Sequence, residues 1–185
     1  MIEAAAGAIS RGEVVGLPTD TVYGIGVDPL NPDAVAKLFE LKGRPPDKPV
    51  GVLASSFEQA SSIALLEGDA ARLAAGHWPG PLTVVVTPKI IMAEWVGDRQ
   101  LRTLGVRVPD HPVALELLSA TGPLAVTSAN HAGGPETMSD EEARALFGDS
   151  VSVYLPGISP GGQASTVVDC TGPSLVVLRK GPVDI

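Results

Sequence analysis

Short β-branched runs alternate with helical patterns along this chain of 185 residues. Runs of apolar residues predict strands at EVVGL, VGVLA, LTVVV, LGVRV, LAVTS, VSVYL, STVVD and LVVLR. Because several of these runs are apolar at consecutive positions, we expect strands that are buried on both faces.

Helix signals lie between these runs. They cover AAAGAISR, NPDAVAKLFELK, residues 56–64, DAARLAAGHW, HPVALELLSA and a segment that begins SDEE. Asn31 is the expected N-cap of the second helix, with Pro32 in its first position. Ser139 and Glu142 have the spacing of a capping box. The alternation of strands and helices predicts a three-layer α/β fold with a mixed, twisted sheet.

The chain shows no internal repeat, charge block or low-complexity linker, so we expect residues 1–185 to form one domain. Aromatic residues make up 4% of the chain, which implies an aliphatic core. The net charge of -8 argues against a broad nucleic-acid or membrane-binding surface. The single cysteine, Cys170, excludes an internal disulfide. No signal peptide or long apolar span is present, so we expect a soluble cytoplasmic protein without membrane contact.

Positive charge is concentrated at ELKGRPPDKP, where Lys42, Arg44 and Lys48 are framed by prolines. Prolines restrict a loop, and fixed cations can neutralise a polyphosphate without reorganisation. A solvated turn is the alternative. Two further glycine-rich stretches, GGPETM and PGISPGGQAS, are candidate mobile loops.

Arg107 occupies the middle of the apolar strand LGVRV. A buried arginine is costly unless it meets an anion, and a guanidinium matches a carboxylate with two parallel hydrogen bonds. The more specific interpretation is that Arg107 binds the carboxylate of a substrate. An edge strand or an internal Asp or Glu partner is the alternative.

Hydroxyl groups gather at other strand ends. Thr19, Asp20 and Thr21 follow the first strand, and Thr127 and Ser128 close another before a Gly-Gly turn. Such strand ends offer hydroxyl and backbone donors to a ligand, although a hydroxyl-rich turn is also typical of the first segment. The usual phosphate-binding and nucleophile motifs are missing, and the histidines lack metal-ligand spacing.

Six blocks, PTDTVYGIG, LKGRPPDKP, WPGPLTVV, VRVPDHP, TSAN and STVVD, occur in this order between Val14 and Arg179. In this order they resemble the L-threonylcarbamoyladenylate synthase family, which has a YrdC-like domain. The resemblance implies a short, single-domain form with a twisted open mixed sheet flanked by helices and a large, positively charged concave cavity. It implies condensation of L-threonine, bicarbonate and ATP, with Mg²⁺, into threonylcarbamoyl-AMP and pyrophosphate. A threonylcarbamoyl-transferase complex would then modify tRNA beside the anticodon.

The resemblance also implies site residues. L-threonine would be bound by Thr21, Arg107, Thr127 and Ser165, with Arg107 on its carboxylate. ATP would be surrounded by Lys42, Arg44, Lys48, Thr103, Ser128, Ala129, Asn130, Thr137 and Arg179. Lys42 and Arg44 would be the catalytic cations, and no metal-ligating residue or protein nucleophile is expected.

Two positions depart from the family pattern. Leu53 stands where many relatives carry histidine, and Ala132 replaces a serine of the S-A-N-x-S-G block, which puts details of the threonine pocket in doubt. One alternative function is a double-stranded RNA or tRNA-binding module of the same fold, with weak RNA contact. Another is a carbamoyl-transfer enzyme of the hydrogenase-maturation type, which normally carries extra domains that this chain lacks.

Overall fold

Nine strands form one sheet in the order β7-β1-β2-β6-β3-β5-β4-β8-β9 in the computed structural model, which describes residues 1–185. The strands are β1 Val15–Leu17, β2 Gly24–Val27, β3 Gly51–Leu53, β4 Leu82–Val86, β5 Leu104–Arg107, β6 Leu124–Ser128, β7 Val153–Tyr154, β8 Thr166–Asp169 and β9 Val176–Arg179. Three neighbouring pairs, β1–β7, β3–β5 and β4–β8, are parallel and the others are antiparallel. The predicted mixed sheet is confirmed.

Six α-helices flank the sheet, and each overlaps a predicted one. They are α1 Ile2–Ser10, α2 Pro32–Lys42, α3 Phe57–Ile63, α4 Gly68–His77, α5 Pro112–Thr121 and α6 Asp140–Phe147. One core contains buried residues of α2, α3, α4 and α6, and a second core joins α1 and α5 to β1. None of the helices has the length and apolar character that crossing a membrane requires.

Two predicted helix starts are visible in the hydrogen bonds. Asn31 Oδ1 accepts the backbone N–H groups of Asp33 and Ala34, as expected for an N-cap. Ser139 Oγ accepts the N–H of Glu142, but the Glu142 carboxylate accepts from the N–H of Met138 rather than Ser139. Only one of the two capping-box bonds therefore forms.

Strand β2 was not predicted, because its sequence GIGV was interpreted only as part of the polar segment that follows the first strand. Ile25 and Val27 are buried in the core, whereas Gly24 and Gly26 face the neighbouring strand β6. A Cβ atom at either glycine would lie 2.9 Å from a methyl carbon of Val126. The glycines thus allow β2 to pack closely against β6.

The central strands have one buried face and one open face, so the expectation of burial on both faces is wrong for them. In β4, Leu82, Val84 and Val86 are buried, while Thr83 and Val85 between them are partly exposed. The apolar run hides this alternation because Val85 faces outward. Strand β9 departs further, since all four of its residues are exposed at the edge of the sheet.

Candidate functional site

The open face of the sheet forms a cavity of about 480 Å³. Its floor lacks side chains at Gly51 of β3 and Gly105 of β5, two neighbouring strands. A Cβ atom at Gly51 would lie 2.9 Å from the carbonyl oxygen of Gly105. A larger residue at Gly51 would therefore press on the backbone that carries Arg107, besides filling the cavity.

Many predicted site residues meet in this cavity. Its wall includes Thr21, Arg44, Thr103, Arg107, Thr127, Ser128, Ser165 and Arg179. The remaining predicted residues, Lys42, Lys48, Ala129, Asn130 and Thr137, lie outside the lining. The lining therefore contains three arginines and two acidic residues, Asp98 and Glu136.

Arg107 lies on β5 between β3 and β4, so the edge-strand alternative is wrong. Its Nε donates to the carbonyl oxygen of Gly80 at 3.0 Å, its Nη1 to Thr21 Oγ1 at 2.9 Å, and its Nη2 to Asp20 Oδ1. Three of the five N–H donors of the guanidinium are thus used, which leaves two for a ligand. Burial lowers the pKa of Arg107, and Asp20 opposes this shift.

Asp20 is the internal acidic partner of Arg107, which the sequence analysis gave as an alternative without naming the residue. Besides Arg107, its Oδ1 accepts the backbone N–H of Asp110 at 3.0 Å. Its Oδ2 is buried without a hydrogen-bond partner. Sequence reasoning grouped Asp20 with the polar residues after the first strand, with a turn as the alternative, and no local signal connects it to a strand 87 residues away.

Arg44 is held in place by carbonyl groups of the proline-framed loop. Its Nε donates to the carbonyl oxygen of Lys48 at 2.6 Å and its Nη2 to that of Pro49 at 2.9 Å. Its Nη1 lies 3.4 Å from Thr127 Oγ1. The prolines and this bonding orient the guanidinium toward the cavity, whereas Lys48 is exposed and does not line it.

Arg179 approaches the cavity from β9 and is bound to Ser165. Its Nε donates to the Ser165 carbonyl oxygen at 2.9 Å and its Nη2 to Ser165 Oγ at 3.0 Å. Burial lowers the pKa of Arg44, and the positive charge of Arg179 lowers it further. The charge of Arg179 thus disfavours the charged form of Arg44, whereas burial lowers the pKa of Arg179 and the carboxylate of Glu136 opposes that shift.

Lys42 supports a strand end instead of lining the cavity. Its Nζ donates to the carbonyl oxygens of Ser128 and Asn130 at 2.7 and 2.9 Å, and lies 2.9 Å from Asn130 Oδ1 and 3.2 Å from Ser128 Oγ. Thr137 in turn donates to the carbonyl oxygen of Ala129. These hydrogen bonds tie Lys42 and Thr137 to the end of β6 and the loop that follows it.

We expect Lys42 to titrate near pH 8 in the native protein, because burial, and then the charge of Arg44, lower its pKa from 10.5 to about 8. Between these two pH values the unfolded chain binds more protons than the native one, so this group makes stability rise with pH. Carbon NMR of labelled lysine Cε atoms would give the pKa, with Lys42→Arg to assign the signal. A midpoint near the ordinary lysine value would contradict the expectation.

Sequence reasoning missed several lining residues, among them Thr83, Asp98 and Glu136. Thr83 was detectable in principle, because it is the polar position of an alternating strand. Of the two departures from the family pattern, Leu53 lines the cavity and pairs with Arg107 across β3 and β5, whereas Ala132 does not line it. No group of three His, Cys, Asp or Glu side chains is arranged to hold a metal ion.

Comparison with known proteins places these features in a wider context. The model of the Sua5/YciO/YrdC family, described as telomere recombination, matches residues 7–181. A Mycobacterium tuberculosis protein with the provisional name threonylcarbamoyl-AMP synthase is 46% identical over 184 residues, which cover 98% of this chain and 84% of that protein. The threonylcarbamoyl-AMP synthase of Pyrococcus abyssi is 40% identical over 183 residues, covering 97% of this chain and 54% of the longer protein. The crystal structure of P. abyssi Sua5 complexed with L-threonine superposes with a TM-score of 0.91 at 38% identity, over 97% of this chain and 54% of that one.

Proposed function

Because this chain belongs to the Sua5/YciO/YrdC family, we propose that its cavity is the active site of a threonylcarbamoyl-AMP synthase. The observation that carries the proposal is the meeting of three arginines in one cavity, to which we assign two anion sites. Arg107 with its two unused donors forms the first, and the pair Arg44 and Arg179 forms the second. A reaction that joins an amino acid to a nucleotide needs both.

In this proposal L-threonine binds at the Arg107 end of the cavity, and a P. abyssi relative has been crystallised in complex with L-threonine. The two unused N–H groups of Arg107 face the substrate carboxylate, which the guanidinium fork matches. Thr21 and Ser165 line the cavity on either side, and Thr127 connects this end to Arg44.

ATP binds with its phosphates near Arg44 and Arg179. The substrate amine reacts with bicarbonate to give a carbamate and water, and a carbamate oxygen attacks the α-phosphorus while the bond to pyrophosphate breaks. The two arginines stabilise the charge that develops on the phosphate oxygens, without reorganising during the reaction. Mg²⁺ enters as part of the ATP substrate and neutralises phosphate charge.

The remaining predicted residues have supporting roles in this proposal. Lys42, Asn130 and Thr137 shape the loop after β6 through their hydrogen bonds, and Ala129 is buried within that loop. Ser128 and Thr103 line the ATP end. Lys48 is exposed and outside the cavity lining, so its contact with ATP would require the side chain to extend toward the phosphates. The adenylate would then pass to a threonylcarbamoyl-transferase complex that acts on tRNA.

The test is pyrophosphate release from ATP and Mg²⁺, measured with and without L-threonine and bicarbonate, while chromatography follows the adenylate. We expect release only when both co-substrates are present. Pyrophosphate release that does not depend on threonine would overturn the proposal. The absence of any release from a protein that binds ATP would overturn it as well. In the second case a salt titration of double-stranded RNA binding tests the alternative module, since phosphate-backbone binding weakens steeply with salt.

A further inference from the structure

The hydroxyl group of Thr19 is completely used by its own segment of chain. Thr19 is 3% exposed, and its Oγ1 donates its one hydrogen to the carbonyl oxygen of Val22 at 2.8 Å. The same oxygen accepts the backbone N–H of Thr21 at 3.2 Å. Thr19 Oγ1 and Thr21 Oγ1 are 2.9 Å apart, and Thr19 has no hydrogen left for this contact.

It follows that Thr21 donates its hydroxyl hydrogen to Thr19. Thr21 Oγ1 also accepts from Arg107 Nη1 at 2.9 Å, which occupies one of its two lone pairs. Thr21 lines the cavity and therefore offers a ligand one lone pair and no hydrogen. A carboxylate cannot donate, so it finds no hydrogen bond at this atom.

The hydroxyl groups of Thr83 and Ser165 differ from that of Thr21, because one of them can donate a hydrogen bond to a ligand. Val84 pairs with Val106 in the antiparallel β4–β5 ladder, so Thr83 lies directly opposite Arg107. Thr83 Oγ1 and Ser165 Oγ are 2.8 Å apart and share one hydrogen bond, so one of their two hydroxyl hydrogens stays free. This side of the cavity therefore offers donors, while Thr21 offers only an acceptor.

We propose that Thr19 is a positioning residue: by fixing the hydroxyl hydrogen of Thr21, it makes Thr21 the acceptor that reads the α-amino group of the substrate. This inference rests on the proposed function. With the carboxylate on the remaining N–H groups of Arg107, the nearest donor of an α-amino acid is its nitrogen, one carbon away. The pocket thereby selects α-amino carboxylates against carboxylates that have no donor on the α-carbon.

The test compares L-threonine with its des-amino analogue (R)-3-hydroxybutanoate by titration calorimetry. Wild-type protein should bind the analogue at least roughly 100-fold more weakly, because the Thr21 lone pair is left unpaired. In Thr19→Val the Thr21 hydrogen is released and can donate to a carboxylate, so the ratio of the two dissociation constants should fall at least roughly tenfold. Thr19→Ser retains the hydroxyl and should restore the wild-type ratio.

Loss of affinity for both ligands by the same factor in Thr19→Val, with the ratio unchanged, would overturn the proposal, because Thr19 would then only support the fold. If this variant does not fold, a crystal structure of the wild type with L-threonine decides. A substrate nitrogen within about 3.2 Å of Thr21 Oγ1 supports the proposal, and a carboxylate oxygen there overturns it. Failure of the proposed function is seen separately, as threonine binding without threonine-dependent pyrophosphate release.

Discussion

Arg44→Ala is expected to reduce threonine-dependent pyrophosphate release by roughly 100-fold or more, the loss that follows removal of one preorganised charge-stabilising group. Arg44 is held toward the cavity by two loop carbonyls and sits close enough to Arg179 for the charge of one to lower the pKa of the other. The charge of Arg179 disfavours the charged form of Arg44 when no anion lies near them. Binding of the phosphates turns this unfavourable pair into a favourable arrangement.

The same variant should change the free energy of unfolding by less than about 1 kcal/mol. Loss of the bonds to the Lys48 and Pro49 carbonyls destabilises the loop, while relief of the repulsion from Arg179 acts in the other direction. Steady-state rates and urea denaturation of the same preparations measure both effects.

Arg72→Ala is the matched control. Arg72 is an exposed arginine of α4 whose only ion pair is with Asp69 on the surface. It is expected to leave the rate unchanged and to cost little stability, as exposed pairs do. Near-normal turnover in Arg44→Ala, or an equal loss in Arg72→Ala, would contradict the assignment of Arg44 to the phosphates.

The elements of this fold could be predicted where local chemistry decides them. Asn31 followed by Pro32 is a local signal for the start of α2, and the β-branched runs identify eight of the nine strands. Strand β2 escaped because its glycines have a role only in relation to Val126 of another strand. The two-faced character of β4 escaped for a similar reason, since valine faces both the core and the cavity.

The site was predictable as a set of residue types but not as a set of contacts. Lys42 and Arg44 are adjacent in one motif, yet one supports the loop after β6 and the other faces the cavity. The difference depends on where α2 ends relative to Ser128, 86 residues later. Sequence spacing contains no information about which of two neighbouring cations points toward open space.

Asp20→Asn is expected to lower the free energy of unfolding by about 3 kcal/mol, because it leaves a buried guanidinium without its counter-ion. The Asp20 and Arg107 side chains are 13% and 7% exposed, so water cannot replace the lost partner. Asparagine still offers an oxygen to the N–H of Asp110, so the variant isolates the charge. Urea denaturation at constant pH measures the loss.

Arg107→Met alone should also destabilise, since Asp20 then remains as a buried anion with an unpaired Oδ2. The double variant removes both charges, and its loss should be smaller than the sum of the single losses by at least about 1 kcal/mol. Additive losses would show that the pair contributes no coupling.

Threonine should stabilise Asp20→Asn more than wild type, because its carboxylate then supplies the only anion that Arg107 meets. A thermal shift measured at saturating L-threonine tests this. Equal shifts would mean that substrate and Asp20 do not share the guanidinium.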